Sequence, residues 1–488
     1  MNKVVKRVIV LALTASLVLG CSGCKKSSRE AAAGAEGNIQ TESVEKTPGS
    51  TENSANTGDS AETKDTYTVL KDENGKVYDL GGMEITIADW WSPEEEAEPA
   101  NAKEEDTKAY RDWIQKTYNF KIKQVGIDDY GTHPETFINF ATSGGDENYV
   151  FILYTGSLAA PMKSGLFYDL STLNCLDFND NKWNKATKKL MTKGKAVYGM
   201  RAENNEPSGG LYFNKRLLEE ANINPESLYE MQADGTWTWD AFEKICEKTT
   251  RDTNNDGVLD TYALTNFSVN FYQEVIASNN ASFIGLDKNG KFFNATGTDE
   301  FLEAMNWGYN ILKKYEMPQP EGTEWDYSFT SFVNGEAAMN AAAVYQAGTY
   351  KDMEDDYGFV CFPKGPNADT YHNIWSDNVY VIPACYDADR AWKIAFAFNL
   401  YSEETPGYEE DMDWQTDYYE NFRDTRAVDE TISILKSPES GTIWYSSLVP
   451  GISVGDIIYG VYANEATPAE KIEEVKNQWQ AYIDEANK

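Results

Sequence analysis

Residues 83–88 read Met-Glu-Ile-Thr-Ile-Ala, an alternation with β-branched members that predicts a strand with one buried face. The period lengthens over 103–117, predicting a helix, and returns to a strand at 120–125. A helix is predicted over 134–142, stopped by Gly144-Gly145. Residues 149–154 are an unbroken apolar run, as in a strand covered on both faces. Further along, 211–214 predicts a short strand, 215–221 a helix, and 239–249 another helix. The stretch 298–315 predicts a long amphipathic helix with Phe301, Met305, Tyr309 and Leu312 on one face. A strand at 379–383 and helices at 388–401 and 468–487 complete the pattern. Strand and helix alternate, so the expected class is α/β with a parallel sheet. No internal repeat is visible.

The start of the chain obeys a different rule. Lys3, Lys6 and Arg7 precede an apolar stretch, 8–19, interrupted only by Thr14 and Ser16. It is short for a transmembrane helix and has the proportions of a signal peptide. It ends in Val18-Leu19-Gly20-Cys21, which resembles a bacterial lipobox and implies a diacylglycerol thioether on Cys21. Val18 stands where Leu is commoner and Leu19 where a small residue is commoner. An ordinary secretory signal with an incidental Cys is the alternative, and Cys24 is a weaker anchor because polar residues precede it. Residues 21–66 are rich in Ser, Thr, Ala, Gly, Glu and Asn and nearly free of large apolar residues. Such a segment cannot bury enough apolar surface to offset its ordering entropy, so a tether spanning on the order of 35 Å is expected.

Charge and composition narrow the function. Lys plus Arg is 43 against 79 Asp plus Glu, a net charge of -36. That balance excludes phosphate-driven nucleic-acid binding and disfavours anionic lipid surfaces, leaving a lipid anchor as the expected membrane contact. Two His residues, His133 and His372, leave little room for His-based metal sites or proton shuttles. Apart from Cys21, five widely spaced Cys residues form neither a disulfide framework nor a zinc pattern and read as free buried thiols. Gly451-Ile452-Ser453-Val454-Gly455 matches the nucleophile-elbow pattern, but no His follows it in the chain as a hydrolase triad requires. Neither H-E-x-x-H nor a P-loop is present. With so many acids the sequence can neither nominate nor exclude a glycosidase carboxylate pair. A non-enzyme is expected, with a carbohydrate-active enzyme as an open alternative. One ion motif stands out. Asp252, Asn254, Asp256 and Asp260 occupy oxygen-ligand positions of an EF-hand-type loop, with Gly257 at the turn and the Val258 carbonyl available. A structural Ca²⁺ is expected there, although Ala263 stands where a bidentate Glu would close the shell. An Asx-rich turn without metal is the alternative.

In the middle of the chain, Gly210-Leu211-Tyr212-Phe213-Asn214-Lys215 leads into a helix. It is followed in order by Thr236-Trp237-Thr238-Trp239-Asp240-Ala241-Phe242 and Phe332-Val333-Asn334-Gly335-Glu336-Ala337-Ala338-Met339. Then come Tyr357-Gly358, Pro363-Lys364-Gly365-Pro366, the run from Ser376 through Asp377 to Pro383, and Ala391-Trp392-Lys393. This ordered series over 68–488 resembles the extracellular solute-binding proteins of the family that includes maltose-binding protein. The acidic run Glu94-Glu95-Glu96 is unusual beside that pattern. The resemblance implies two discontinuous α/β lobes joined by a hinge, with 68–208 and 363–404 in lobe one and 209–362 and 405–488 in lobe two. It also implies a monomer that binds a sugar, most often an oligosaccharide, and docks on an ABC transporter permease. Sugar C–H faces stack on aromatic rings and sugar hydroxyls need polar rims. Residues beyond the carboxyl ends of parallel strands face such a cleft, which nominates Asp89, Trp90, Trp91, Tyr154 and Thr155. Position in the family pattern adds Tyr272, Gln346, Trp375, Asp377, Trp444 and Tyr445. Trp237 and Trp239 open a helix and read as structural. A binding protein for peptides or another polar solute is the alternative within this fold.

Overall fold

The alternation at 83–88 becomes β1 (Met83–Asp89), with Ile85 and Ile87 buried. The helix α1 (Ala102–Tyr118) begins where Asn101 accepts from the Glu104 N–H and ends at Asn119, which takes a left-handed φ of 54°. It buries Tyr110, Ile114 and Tyr118, one face at four-residue spacing. There follow β2 (Phe120–Gly126), α2 (His133–Ser143, with Pro134 in its first turn) and β3 (Asn148–Tyr154). β1 lies between β2 and β3 and runs parallel to both, Met83 opposite Phe120 and Ile85 opposite Asn148. This computed structural model describes residues 67–95, 97–99, 101–202, 207–324, 326–351, 353–374, 378–408, 414–419, 421–437 and 440–488. The signal segment, Cys21 and the tether, with Trp375 and Asp377, lie outside the described residues.

The chain passes to a second sheet between 202 and 207. Its elements are β4 (Gly209–Asn214), α3 (Trp239–Thr249), β5 (Tyr262–Asn266), α4 (Ser268–Ser278), α5 (Asp299–Tyr315), β6 (Ala337–Ala343) and β7 (Tyr357–Val360). The sheet order is β7-β4-β6-β5. After a second crossing, β8 (Asn378–Val381) joins the first sheet beside β3, giving β8-β3-β1-β2, and α6 (Ala388–Tyr401) covers it. A third crossing, between 408 and 414, returns the chain to the second lobe. There α7 (Gly455–Tyr462) and α8 (Pro468–Ala486) seal the core with Ile457, Ile458, Ile472, Val475, Trp479 and Ile483.

The sheets are mixed, not parallel as the alternation predicts. β8 is antiparallel to β3, β4 is antiparallel to β6 and β7, and in the second sheet β5 and β6 are the one pair of neighbours that run parallel. The reason is the crossings. β4 and β8 each enter a lobe directly from the other, so they run opposite to strands whose carboxyl ends point to the junction. One boundary also differs from the division expected above. Tyr371 packs in the second core, the Lys364 N–H donates to the Trp237 carbonyl, and Asn373 and Ile374 pair with Gly441 and Thr442. The stretch 363–374 therefore packs on lobe two, and the first core resumes at β8. Cys175, Cys246, Cys361 and Cys385 are free thiols.

Candidate ligand-binding cleft

The carboxyl ends of β1, β2 and β3 converge on one side of the junction, and those of β5 and β6 on the other. A cavity of about 770 Å³ lies between them. Lobe one contributes Tyr130, Tyr154 and Thr155; lobe two contributes Asn270, Gln273 and Glu274 from α4, and Trp444 with the 446–454 stretch. Tyr130 and Tyr154 stack, centroids 4.6 Å apart and planes 26° apart. Trp90 stands edge-on to both, at 5.5 and 6.0 Å, and to Trp91 at 4.7 Å. Burial pushes both phenols above their ordinary pKa, so they remain neutral hydrogen-bonding groups at neutral pH. Beside this cavity is a smaller one of about 160 Å³, lined by Asn270, Tyr345 and Gln346 among others. Tyr345 follows β6, is 79 % exposed and lies within electrostatic reach of Tyr130 across the cleft.

The floor is set by the connecting segments. The Ser208 N–H donates to the Ile374 carbonyl (2.9 Å), and the Val344 N–H donates to the Ser208 carbonyl (3.1 Å), joining the first two crossings to the end of β6. Above them sits Glu274, 3 % exposed, with Oε1 accepting from Ser208 Oγ at 3.4 Å. Burial raises its pKa to about 8, against weaker lowering by the Ile374 N–H and the Ser208 hydroxyl. Its Oε2 has no hydrogen-bond partner, and neither has the Trp444 Nε1–H. Among the described residues lining this cavity there is no Lys or Arg, and Glu274 is the one carboxyl. A larger hollow of about 900 Å³ flanks the β2 edge, lined by Lys108, Arg111, Lys121 and Lys123 with Glu84 and Glu104. It lies on lobe one and does not adjoin lobe two.

Of the residues nominated from sequence, Tyr154, Thr155 and Trp444 line the main cavity and Gln346 the smaller one. Trp90 backs the stacked tyrosines, and Trp91 is half-exposed at the cluster's edge. Tyr445 packs on Phe292 at 6.3 Å, beside the cleft wall. Asp89 is not presented to the cleft. Its buried carboxylate accepts from the Trp91 and Ser92 N–H groups (3.1 and 2.9 Å), Ser92 Oγ (2.5 Å) and Gln124 Nε2 (2.7 Å). It folds the turn that aims Trp90. Tyr272 is 1 % exposed in the second core, because Asn270, Gln273 and Glu274 occupy the cleft face of α4. Tyr130, Asn270, Glu274 and Tyr345 went unnominated. Tyr130 follows β2, and the strand-end rule applied there would have found it. The others follow β5 and β6, which the hydrophobic pattern did not reveal.

Ser453 lines the cavity just before α7, while the first Gly of its motif, Gly451, has φ +93° and packs where a Cβ would meet the Tyr482 ring. His133 Nδ1 bonds to Asp128 Oδ1 at 2.5 Å, so it is engaged away from Ser453. In the 252–260 loop, Asp260 Oδ2 accepts from the Thr253 N–H (2.7 Å), Asp252 Oδ2 from the Gly257 N–H (2.8 Å) and Asp256 Oδ1 from the Val258 N–H (2.8 Å). These carboxylates bind the loop's own backbone, and among the described residues no three His, Cys, Asp or Glu side chains form a metal-binding group. No helix among them is long and apolar enough to cross a membrane.

Residues 91–398 match the family of bacterial extracellular solute-binding proteins. The fold is similar to that of the cyclic alpha-maltosyl-1,6-maltose binding protein of Arthrobacter globiformis, with a TM-score of 0.59 at 13 % identity over 83 % of this chain and 99 % of that one. It is also similar to the substrate-binding protein Lmo0181 of Listeria monocytogenes in complex with cycloalternan (TM-score 0.55, 16 % identity, 83 % and 98 % covered). A third similar structure is UgpB of Mycobacterium tuberculosis in complex with glycerophosphocholine (TM-score 0.56, 15 % identity, 78 % and 95 % covered). No curated protein matches the chain.

Proposed function

The chain belongs to the bacterial extracellular solute-binding protein family, and from that premise we propose that it captures a carbohydrate, in its expected form an oligosaccharide, between its lobes and delivers it to an ABC transporter permease as a lipid-anchored monomer. The observation that carries the sugar reading is the cleft lining: stacked Tyr130 and Tyr154, Trp444, and neutral donors and acceptors at Thr155, Asn270 and Gln273. Rings offer faces to sugar C–H groups, and hydroxyl-binding side chains fix orientation. A peptide is the second reading. It is less favoured because its termini call for opposite charges, and the described lining supplies no cation. Lobe closure about the paired connecting segments would enclose the ligand.

The test is calorimetric titration of the protein with neutral oligosaccharides of varied linkage and with short peptides. Saturable binding of a sugar is the expected result, and saturable binding of peptides alone would overturn it. With the best sugar, Trp90→Ala should weaken affinity about thirtyfold, which is about 2 kcal/mol. Loss of this ring removes the wall that holds the tyrosine stack. Unchanged affinity would mean that the tyrosine stack does not depend on Trp90 for its hold on the sugar.

A further inference from the structure

Among the described residues that line the cleft Glu274 is the one carboxyl, and its placement is unusual. Glu274 points from α4 to the segments that connect the lobes, with Oε1 beside Ser208 Oγ and Oε2 unpartnered. Gly209 makes this possible, because a Cβ there would lie 2.9 Å from Glu274 Oε1. The residue is almost fully buried yet lines the cavity, so a molecule in the cleft can supply its free oxygen with a partner, beside the Ile374 N–H that already acts on the carboxyl. We propose that Glu274 is the ligand-selecting residue of the cleft, hydrogen-bonding through its unpartnered oxygen to a hydroxyl of an uncharged sugar and excluding acidic sugars. This rests on the carbohydrate reading above.

The chemistry follows from what surrounds the group. A buried carboxylate without a counter-charge is costly, and the described lining holds no cation to offset it. The acid form dominates below a pKa of about 8. The groups that touch its titration are neutral: the Ser208 hydroxyl and the Ile374 N–H. The Cys361 thiol faces it from beyond β7 and is itself held protonated by burial. Asp456 on α7 and Glu300 and Glu303 on α5, the helices packed on α4, contribute nothing to it. A second carboxylate brought in on a uronic acid would meet this acid with no cation among the described lining residues. A sugar hydroxyl can accept from Oε2–H and donate elsewhere.

The experiment measures affinity at pH 6.5 and pH 9 for maltotetraose, cellotetraose, xylotetraose, the tetramer of galacturonic acid and the tetramer of glucosamine. For the tightest neutral sugar, the wild type should lose about tenfold in affinity at the higher pH, because the donor is lost one unit above the carboxyl's pKa. Glu274→Gln, which cannot titrate, should bring the ratio of the two affinities to about one. The galacturonate tetramer should not bind. Affinity independent of pH in the wild type, the same pH ratio in Glu274→Gln, or saturable galacturonate binding would each overturn the assignment while leaving the sugar reading in place. Tighter binding of the glucosamine tetramer than of every neutral sugar at pH 6.5 would mean a charged carboxylate and would also overturn it. If no sugar of the set binds at either pH, the carbohydrate reading falls and this one with it.

Discussion

Trp239 lies flat on Trp307, centroids 4.3 Å and planes 7° apart, and its Nε1–H donates to Ser278 Oγ at 3.1 Å. Tyr130 is half-exposed at the cleft and stacks only on other cleft rings. The two should respond oppositely to truncation. Trp239→Ala should cost about 3–5 kcal/mol of stability, as large-to-small changes in cores do, with little effect on the affinity of the protein that remains folded. Tyr130→Ala should leave the urea midpoint nearly unchanged and weaken sugar binding. A Trp239→Ala protein that unfolds at the wild-type midpoint would refute the packing account. Residue roles of this kind were half legible beforehand. Trp239 opens a helix and reads as structural, and Tyr154 ends a strand and reads as cleft. Tyr272 is expected in the cleft and lies in the core, because on a helix one position of rotation separates the two, and it differs in that respect from Gln273 and Glu274.

At the scale of elements, the strongly periodic segments matched closely: 103–117 became Ala102–Tyr118, and 388–401 became Ala388–Tyr401. β6 was missed because Ala-Ala-Met-Asn-Ala-Ala-Ala favours helix locally. All seven residues are buried, and pairing on both sides overrides the preference. Near the end of β5, Glu316 Oε1 accepts from Asn266 Nδ2 (2.7 Å) and the Tyr462 hydroxyl (2.8 Å), tying the sheet to α7. Burial raises its pKa from the ordinary 4.5 to about 7. The folded state therefore binds this proton more tightly than the unfolded one. The stability it lends is full below about pH 4.5 and is lost as pH rises through about 7. Urea unfolding of the wild type should show stability falling between pH 5 and pH 8, and Glu316→Gln should reduce that fall; an equal fall in both proteins would rule Glu316 out as a contributor. The 252–260 loop is the other element with a solution consequence. Calcium there is a proposal that rests on ligand spacing, and the loop must exchange its backbone contacts for the ion. If it binds, a chelator should lower the melting temperature, and Asp256→Ala should abolish that sensitivity. Melting curves that coincide with and without chelator would dispose of it.

For the molecule as a whole, the bilobal α/β class was legible from alternation and from the ordered motifs, whereas the mixed strand directions were not. Direction depends on where the chain enters each lobe, and the crossings carry no hydrophobic period of their own. The proposed anchor belongs to this scale as well. A protein held by Cys21 through a tether should partition with membranes, and Cys21→Ser should release it into the soluble fraction. A variant retained on membranes as fully as the parent would remove the lipid from the account.

The three crossings also govern the order in which the protein can fold. β3 exposes a bare sheet edge until β8 arrives, more than 220 residues after it in the chain. The second core stays open until Trp479 and Ile483 dock. An emerging chain thus has no finished domain to set aside early: the first lobe closes only with β8 and α6, and the second later still, with α8. Contacts so distant in sequence make for slow folding and leave apolar edges unprotected meanwhile. The heavy acidic charge would help here, since like-charged unfinished chains repel each other and resist aggregation while they wait.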